Sequence, residues 1–162
     1  GKGLLVLLGI TQGDNPDLVK RYATKLLKLR VWPEIPKEKP VTNGHAPSTT
    51  EGDKEEEKKA EENSEVKTRA LKTWDSNLVD NNYEILVVSQ FTLYGIMKGN
   101  KPDFHKALNP EEAVKLYDSF LELLKKSYKS ERVKAGEFGA YMDVHLVNDG
   151  PVTLILDSND KE

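Results

Sequence analysis

Two apolar runs, each about one strand long, constrain the fold of this chain more than any other feature. The first, LLVLLGI at residues 4–10, carries no charge, and the second lies within YEILVVSQ at residues 83–90. A continuous apolar run of this length predicts a strand that is buried on both faces. Two such strands therefore predict a sheet with other layers packed against it.

A helix is predicted after each of these strands, because an asparagine–proline pair precedes amphipathic sequence in both places. Asn15 and Asn109 can cap the helices, and each following proline fits the first turn, where a missing N–H has no cost. Apolar residues then recur at helical spacing, which predicts one buried face per helix. They are Leu18, Val19, Tyr22, Ala23, Leu26 and Leu27 in the first helix and Ala113, Tyr117, Phe120, Leu121, Leu124 and Tyr128 in the second.

The periodicity changes near the end of the chain. Apolar residues alternate with polar ones over residues 141–146, which predicts a half-buried strand. The turn sequence NDGP at residues 148–151 separates it from a final apolar strand at residues 152–156. The whole pattern predicts one α/β domain over residues 1–162, with α/β/β layers, a mixed sheet and two helices on one face.

Residues 36–70 interrupt this domain with proline, serine, threonine, lysine and glutamate. Such a composition buries little and predicts a disordered insertion. The stretch from Glu51 to Arg69 contains eight acidic and five basic residues, so its net charge of −3 equals that of the whole chain. The remainder of the chain is therefore neutral, and the total charge says little about partners.

Composition also excludes several kinds of site. The chain has no cysteine, which rules out disulfides, thiolate nucleophiles and cysteine-bound zinc. Its three histidines, at positions 45, 105 and 145, lack metal-ligand spacing, so neither a metal nor another cofactor is expected. No apolar run reaches the ~18 residues that a membrane span needs, and the cytoplasm is the default location.

Three segments remain as candidates for chemistry. Ser89 and Thr92 follow the second strand, where α/β sheets commonly bind ligands, but no base can be paired with either hydroxyl. They are therefore either nucleophiles or ordinary strand-capping residues. The loop KGNKPDFHK can hold phosphates or be merely solvated, and Gly150–Pro151 is either a simple reversal or a rigid cis turn.

Taken together, the segments GLLVLLGIT, VVSQFTLYG, KGNKPDFH, GEFGAYM and NDGPVTLILDS resemble the D-aminoacyl-tRNA deacylase family, specifically its eukaryotic branch. The pair SQFTLY and NDGPVT at this separation is the most specific part. The family begins with a strand hairpin before GLLVLLG, whereas this chain starts at Gly1, so the resemblance implies a truncated chain. The likeness covers almost everything except the insertion and implies a partly barrel-like sheet.

The resemblance implies a carboxylic ester hydrolase that proofreads tRNA in translation quality control. Its substrate would be the ester between a D-amino acid and the terminal adenosine of tRNA, and glycyl-tRNA is a further candidate. It also implies a homodimer without a membrane partner. The Gly150–Pro151 turn of one subunit, in cis form, would enter the pocket of the other and exclude L-amino acids by lack of space.

Residue by residue, the resemblance assigns catalysis to Gln90, Phe91 and Thr92, with backbone N–H groups near Phe91 and Thr92 facing the reacting carbonyl. Water, assisted by the ribose 2′-hydroxyl, is expected to attack in place of Thr92. Substrate contacts are assigned to Ser89, Phe138, Gly139, Ala140, Met142, Gly150 and Pro151, and tRNA phosphate contacts to Lys98, Lys101 and His105.

Two other functions fit the same residues. The first is a non-catalytic, nucleic-acid-binding dimer on the same scaffold. The second is a hydrolase of small esters, which salt would hardly affect, whereas binding of tRNA should weaken steeply as salt rises.

Overall fold

A computed structural model of the chain describes residues 1–36 and 72–160. The insertion predicted at residues 36–70 therefore lies, apart from residue 36, outside the described residues.

The described chain contains seven strands, two α-helices and two short 3₁₀ helices. The strands are β1 (Gly3–Leu8), β2 (Arg30–Trp32), β3 (Ser76–Asn77), β4 (Glu84–Ser89), β5 (Ile96–Lys98), β6 (Lys101–Asp103) and β7 (Val133–Ala135). The α-helices are α1 (Pro16–Lys28) and α2 (Pro110–Ser127), and the 3₁₀ helices span Phe91–Tyr94 and Ser130–Arg132.

The central sheet has the strand order β1–β4–β7, and both of its pairings are parallel. Leu8 lies opposite Ser89 in the first pairing, and Val87 lies opposite Ala135 in the second. Strands β2 and β3, and strands β5 and β6, form two separate antiparallel pairs. None of these three sheets closes on itself within the described ranges.

The two helices begin where the capping residues predict. The Asn15 side chain accepts hydrogen bonds from the N–H groups of Asp17 and Leu18, each at 3.1 Å. Asn109 accepts from the N–H of Glu112 at 3.0 Å. These bonds satisfy N–H groups that have no partner inside the helix, and they confirm both predicted starts.

One apolar core joins both helices to the sheet. Ile85 and Val87 of β4 are fully buried, as is Leu124 of α2, and Leu26 of α1 belongs to the same cluster. The α/β class and both helices are therefore confirmed.

Two predicted strands are absent. Residues 141–146 and 152–156 belong to no helix or sheet, and no backbone group from 141 to 156 hydrogen-bonds to any other described residue. The prediction of paired strands here is wrong, because a strand needs a neighbour for its N–H and C=O groups and no described strand lies beside this segment. Val147 and Ile155 are consequently 96% and 89% exposed.

Tyr117 of α2 joins the ends of two strands. Its buried hydroxyl lies 3.0 Å from the carbonyl oxygen of Val87 and 3.1 Å from that of Gly136. Burial, followed by the nearby charge of Asp118, raises the pKa of this phenol. The hydroxyl is therefore a neutral donor that holds the end of β7 beside the end of β4.

We expect Tyr117→Phe to lower the free energy of unfolding by about 0.5–1.5 kcal/mol, because the half-buried carbonyl of Gly136 loses its donor while the buried carbonyl of Val87 keeps the N–H of Gly136. Urea denaturation at neutral pH measures this difference. Because the pKa of Tyr117 is raised in the folded protein, its hydroxyl stabilises the wild type fully below pH ~10 and less as the pH rises above that value. The difference in unfolding free energy between wild type and Tyr117→Phe should therefore become smaller above pH ~10.

The matched control is Tyr141→Phe, because the Tyr141 side chain is 99% exposed. An equal effect of the two substitutions would contradict the role assigned to Tyr117.

Candidate active site

Three segments of the chain meet at one edge of the central sheet. Because β1, β4 and β7 are parallel, their carboxyl ends lie on the same side. The N–H of Gln90 donates to the carbonyl of Leu8 at 2.9 Å, and the N–H of Gly136 donates to that of Val87 at 2.8 Å. The residues that follow each strand are therefore neighbours, as expected for a ligand site in an α/β sheet.

The 3₁₀ helix Phe91–Tyr94 begins immediately after β4 and Gln90. The N–H of Leu93 donates to the carbonyl of Gln90 at 3.3 Å, and the N–H of Gly95 donates to that of Thr92 at 3.0 Å. The N–H groups of Phe91 and Thr92 donate to no residue in the described part of the chain, because the first amides of a helix lack an acceptor inside it. Two adjacent backbone donors are thus available.

Thr92 is held by the side chain of Gln90. The amide nitrogen Nε2 of Gln90 donates to Oγ1 of Thr92. An amide that donates cannot remove a proton, and no carboxylate or imidazole of the described residues is hydrogen-bonded to this hydroxyl. The geometry orients Thr92 without activating it as a nucleophile.

Close packing fixes the position of the 3₁₀ helix. A Cβ on Gly9, which follows β1, would lie 3.0 Å from the ring of Tyr94 and 3.1 Å from Cβ of Leu93. On the other side, Phe104 meets Phe91 edge to face, with ring centroids 4.9 Å apart and planes at 77°. Phe91 nevertheless remains 58% exposed, so much of its surface is free for a ligand.

The segment after β7 forms the third side of the site. Phe138 is half-buried against Tyr117, with ring centroids 5.5 Å apart, so part of its ring packs inside the protein and cannot contact a ligand. The thioether of Met142 covers Gly136, where an added Cβ would lie 3.0 Å from its terminal methyl carbon and 3.4 Å from the side chain of Val88. This places Met142 beside the end of β4, one residue from Ser89.

Gly139 and Ala140 are exposed at the bend between Phe138 and Met142. Gly139 has a φ of +74°, a value that residues with a Cβ rarely adopt. Ser89 is half-buried at the end of its strand. The predicted substrate residues near positions 89 and 138–142 are therefore brought to one edge.

The Gly150–Pro151 turn differs from its prediction. The described residues contain no cis peptide bond, so this bond is trans. Gly150 reverses the chain through a φ of +109°, which the absence of a Cβ permits, and the reversal needs no cis bond. Both residues are exposed and hydrogen-bond to no other described residue, so no such bond holds the turn against residues 89–92.

The β5–β6 hairpin carries the cations that were predicted to contact phosphates. Nζ of Lys98 and Nδ1 of His105 both contact the carboxylate of Asp103, and the N–H of His105 donates to it at 2.9 Å. The hydrogen bond from Lys98, followed by those from His105, holds the pKa of Asp103 far below its usual value. Lys101, by contrast, pairs with no carboxylate among the described residues.

The chain that follows this hairpin runs beside the end of β1. Thr11 pairs with Ala107, and its hydroxyl donates to the carbonyl of Lys106 at 2.6 Å. The N–H of Leu108 donates to the carbonyl of Ile10 at 3.0 Å. The basic hairpin is thus connected to the edge that carries the free N–H groups.

Three residues that help to form the site were not predicted from the sequence. Tyr117 was counted only as part of an apolar helix face, although a tyrosine at such a position needs a hydrogen-bond partner when it is buried. Asp103 stands among the cations of KGNKPDFHK, and its spacing from Lys98 could have indicated the ion pair. Phe104 gave no signal in the sequence.

The described residues contain no group of three or more histidine, aspartate or glutamate side chains that could hold a metal ion. Within the same ranges, no helix has both the length and the apolar character needed to cross a membrane.

Known proteins resemble the chain over nearly its whole length. The chain is 52% identical over 159 residues to a D-aminoacyl-tRNA deacylase of Plasmodium falciparum, covering 98% of this chain and 76% of that protein. It is 39% identical to the Dictyostelium discoideum D-aminoacyl-tRNA deacylase, covering 84% of that relative. D-aminoacyl-tRNA deacylase 1 of Mus musculus is 40% identical, but the chain spans only 59% of its length.

Solved structures show the same fold. The structure titled c-Myc DNA Unwinding Element Binding Protein is 39% identical, with a TM-score of 0.73 over 99% of this chain and 85% of that one. A probable eukaryotic D-amino acid tRNA deacylase is 16% identical, with a TM-score of 0.55 over 87% of this chain and 77% of that one, and it supports the fold alone. The family model described as D-Tyr-tRNA(Tyr) deacylase matches residues 47–157. The chain therefore belongs to the D-Tyr-tRNA(Tyr) deacylase family.

Proposed function

We propose that the protein hydrolyses D-aminoacyl-tRNA and thereby removes D-amino acids from wrongly charged tRNA. The observation that carries this proposal is the pair of N–H groups on Phe91 and Thr92 that have no acceptor among the described residues, at the edge where three parallel strands end. Two adjacent backbone donors suit a carbonyl oxygen that gains negative charge during ester cleavage. Family membership supports the identity of the ester.

The reaction needs no covalent intermediate with the protein. Water adds its oxygen to the ester carbonyl carbon, the bond to the ribose oxygen breaks, and a proton passes to that departing oxygen. The N–H groups of Phe91 and Thr92 stabilise the oxyanion, and one oxyanion-hole donor is worth ~2.7–4 kcal/mol in a serine protease. Since no carboxylate or imidazole of the described residues hydrogen-bonds to the Thr92 hydroxyl, we assign assistance of the attacking water to the ribose 2′-hydroxyl of the substrate.

The tRNA end would be bound by residues around this edge. The exposed ring of Phe91, together with Gly139, Ala140 and Met142, offers a surface for the terminal adenosine, and stacking on an aromatic is worth ~1–3 kcal/mol per base. Lys101 contacts a phosphate directly. Lys98 and His105 contribute when a phosphate competes with Asp103 for them.

Selection against L-amino acids would come from main-chain atoms of a second subunit. The Gly150–Pro151 turn has little side-chain bulk and is exposed, so it can lie beside the Cα of the substrate and leave no room for an L side chain. Apolar side chains on the same segment, including Val147 at 96% exposure, favour a homodimer that covers them. Glycine lacks a side chain, so glycyl-tRNA would also be accepted.

The proposal is tested by following deacylation of D-tyrosyl-, L-tyrosyl- and glycyl-tRNA under identical conditions. We expect rapid release of D-tyrosine and of glycine, with L-tyrosyl-tRNA decaying at the rate seen without protein. Equal rates for the two tyrosyl esters would exclude steric selection, and no acceleration with any ester would exclude hydrolysis.

A second function, nucleic-acid binding without catalysis, is favoured by one observation. A solved structure that is 39% identical to this chain is titled c-Myc DNA Unwinding Element Binding Protein, which names a DNA-binding protein. A non-catalytic nucleic-acid-binding dimer would bind tRNA without accelerating deacylation, so the same assay separates the two functions. A hydrolase of small esters would instead cleave D-tyrosine ethyl ester, at a rate that salt hardly changes.

We expect Thr92→Ala to retain most of the deacylase activity, because the backbone N–H of residue 92 remains and no base activates the hydroxyl. Single-turnover rates with D-tyrosyl-tRNA measure this. A loss of more than about a hundredfold with unchanged tRNA binding would instead identify Thr92 as a nucleophile, since general-base activation alone contributes about that much.

We expect Asp103→Asn to strengthen tRNA binding, because Lys98 and His105 lose the carboxylate that competes with phosphates. The slope of log affinity against log salt should steepen by up to ~0.9 for each additional phosphate that the hairpin neutralises. Titration of labelled tRNA at several salt concentrations measures both effects.

Glu122→Gln on the exposed side of α2 makes the same change in charge and serves as the control. If the two variants shift binding equally, the effect belongs to net charge and the hairpin has no specific role.

A further inference from the structure

The 3₁₀ helix Phe91–Tyr94, whose first two N–H groups face the reacting carbonyl in the proposed function, is only four residues long. One backbone hydrogen bond at each end ties it to the flanking chain, to the carbonyl of Gln90 at 3.3 Å and from the N–H of Gly95 at 3.0 Å. A 3₁₀ helix has poorer hydrogen-bond geometry than an α-helix, and a single helical turn is unstable by itself. The directions of these N–H groups therefore depend on what packs against the helix.

One side chain from another segment, that of Phe104, contacts both ends of the helix. Its ring meets the ring of Phe91, the first helical residue, edge to face. At the other end the same ring covers Gly95, where an added Cβ would lie 2.9 Å from the ring carbon Cε1. Gly95 has an ordinary φ of −69°, so close packing rather than backbone conformation explains why a glycine suits this position.

The position of Phe104 is itself fixed by the chain on both sides of it. The preceding residue, Asp103, pairs with Ile96 in the β5–β6 hairpin. The carbonyl of Phe104 accepts the N–H of Ala107 at 3.0 Å, and Ala107 pairs with Thr11, which follows β1. The ring is half-buried and is therefore a fixed surface against which the 3₁₀ helix packs.

We propose that Phe104 is a positioning residue for ester hydrolysis, whose ring keeps the N–H groups of Phe91 and Thr92 directed at one point. This inference rests on the proposed function, in which these two groups stabilise the oxyanion. Such donors accelerate a reaction only when they are already in place, and a small misplacement lowers the rate steeply. The ring acts through the helix and needs no contact with the substrate.

The test compares three variants of the whole chain. Phe104→Leu keeps apolar bulk but removes the ring, and Phe104→Tyr keeps the ring. Phe120→Leu is the matched control, because it makes the same change in the apolar core, where Phe120 is 3% exposed.

The quantities measured are the single-turnover rate with D-tyrosyl-tRNA at saturating protein and, separately, the affinity for tRNA. Phe104→Leu should lower the rate about ten- to a hundredfold, because the donors lose their alignment. Its affinity for tRNA should stay nearly unchanged, because no cation is removed. Phe104→Tyr should restore most of the rate. Phe120→Leu should lower the free energy of unfolding but leave the rate of the folded protein unchanged.

Gly95→Ala disturbs the same contact from the helix side. The added Cβ would lie 2.9 Å from the ring of Phe104 and 3.0 Å from the carbonyl oxygen of Thr92, so the rate should fall. Combined with Phe104→Leu, it should lower the rate by less than the product of the two single effects, because residues in contact are not independent. Effects that multiply fully would show that the two residues do not act through one contact.

A further measurement does not depend on catalysis. The N–H of Gly95 donates to Thr92, so its exchange with solvent reports on the end of the helix. We expect exchange to become about fivefold faster in Phe104→Leu, the factor that corresponds to roughly one ordinary hydrogen bond. Phe104→Tyr should leave it unchanged.

The outcomes separate the inference from the proposed function. If the wild-type protein hydrolyses no ester, the proposed function is overturned, while exchange of the Gly95 amide still tests the packing. If the wild type is active but Phe104→Leu and Gly95→Ala keep its rate, the positioning role is overturned.

Two other results would also overturn the positioning role. The first is an equal loss of rate in Phe120→Leu and Phe104→Leu, because the effect then belongs to general destabilisation. The second is unchanged exchange of the Gly95 amide in Phe104→Leu. If Phe104→Leu fails to fold, the rate of Gly95→Ala decides alone.

Discussion

Parallel pairing of β1, β4 and β7 is the constraint on which the rest of the structure depends. Parallel strands place their carboxyl ends on one edge, and here that edge receives the segments after Leu8, Ser89 and Ala135. The hydroxyl of Tyr117 reinforces the arrangement, because it shares its single proton between the neighbouring carbonyls of Val87 and Gly136 from the helix layer. Without this convergence the 3₁₀ helix, Met142 and the basic hairpin would have no common location.

The site that results offers mostly main-chain groups. The N–H groups of Phe91 and Thr92 point to no acceptor within the described chain, and Gln90 only orients the Thr92 hydroxyl. Such a site suits a substrate that supplies its own reactive hydroxyl, as the terminal ribose of tRNA does. Under the proposed function, selectivity would also come from main-chain atoms, because the Gly150–Pro151 turn would occupy the space that an L side chain needs.

Local features of the fold were predictable, and features that need a partner were not. The apolar runs identified β1 and β4, and Asn15 and Asn109 identified the helix starts, because these signals act within a few residues. The alternation of apolar and polar residues over 141–146 indicates only which face of a strand would be apolar. It does not indicate whether another strand lies beside the segment to form hydrogen bonds with it. The prediction of strands failed there for that reason.

In the candidate site, too, features set by neighbouring residues in the sequence were predicted, and contacts that depend on the fold were not. The sequence predicted that the second strand ends near Ser89 and that KGNKPDFHK is an exposed turn, and the structure has the 3₁₀ helix and the β5–β6 hairpin at these two positions. The spacing of Lys98 and Asp103 could have indicated their ion pair, but the contact of His105 with the same carboxylate depends on how the chain folds after the β5–β6 hairpin. The cis form expected at Gly150 was likewise a property of the resemblance, and positive φ at glycine makes the reversal without it.

We propose that the substrate carbonyl binds the N–H groups of Phe91 and Thr92 at the convergent strand ends. Amide chemical shifts on isotope-labelled protein test it most directly, using an adenosine that carries D-tyrosine through a non-hydrolysable 3′-amide. We expect the largest amide proton shifts at Phe91 and Thr92, moving downfield as a hydrogen bond forms. Saturable binding that leaves both amides unmoved, with shifts elsewhere in the protein, would contradict it.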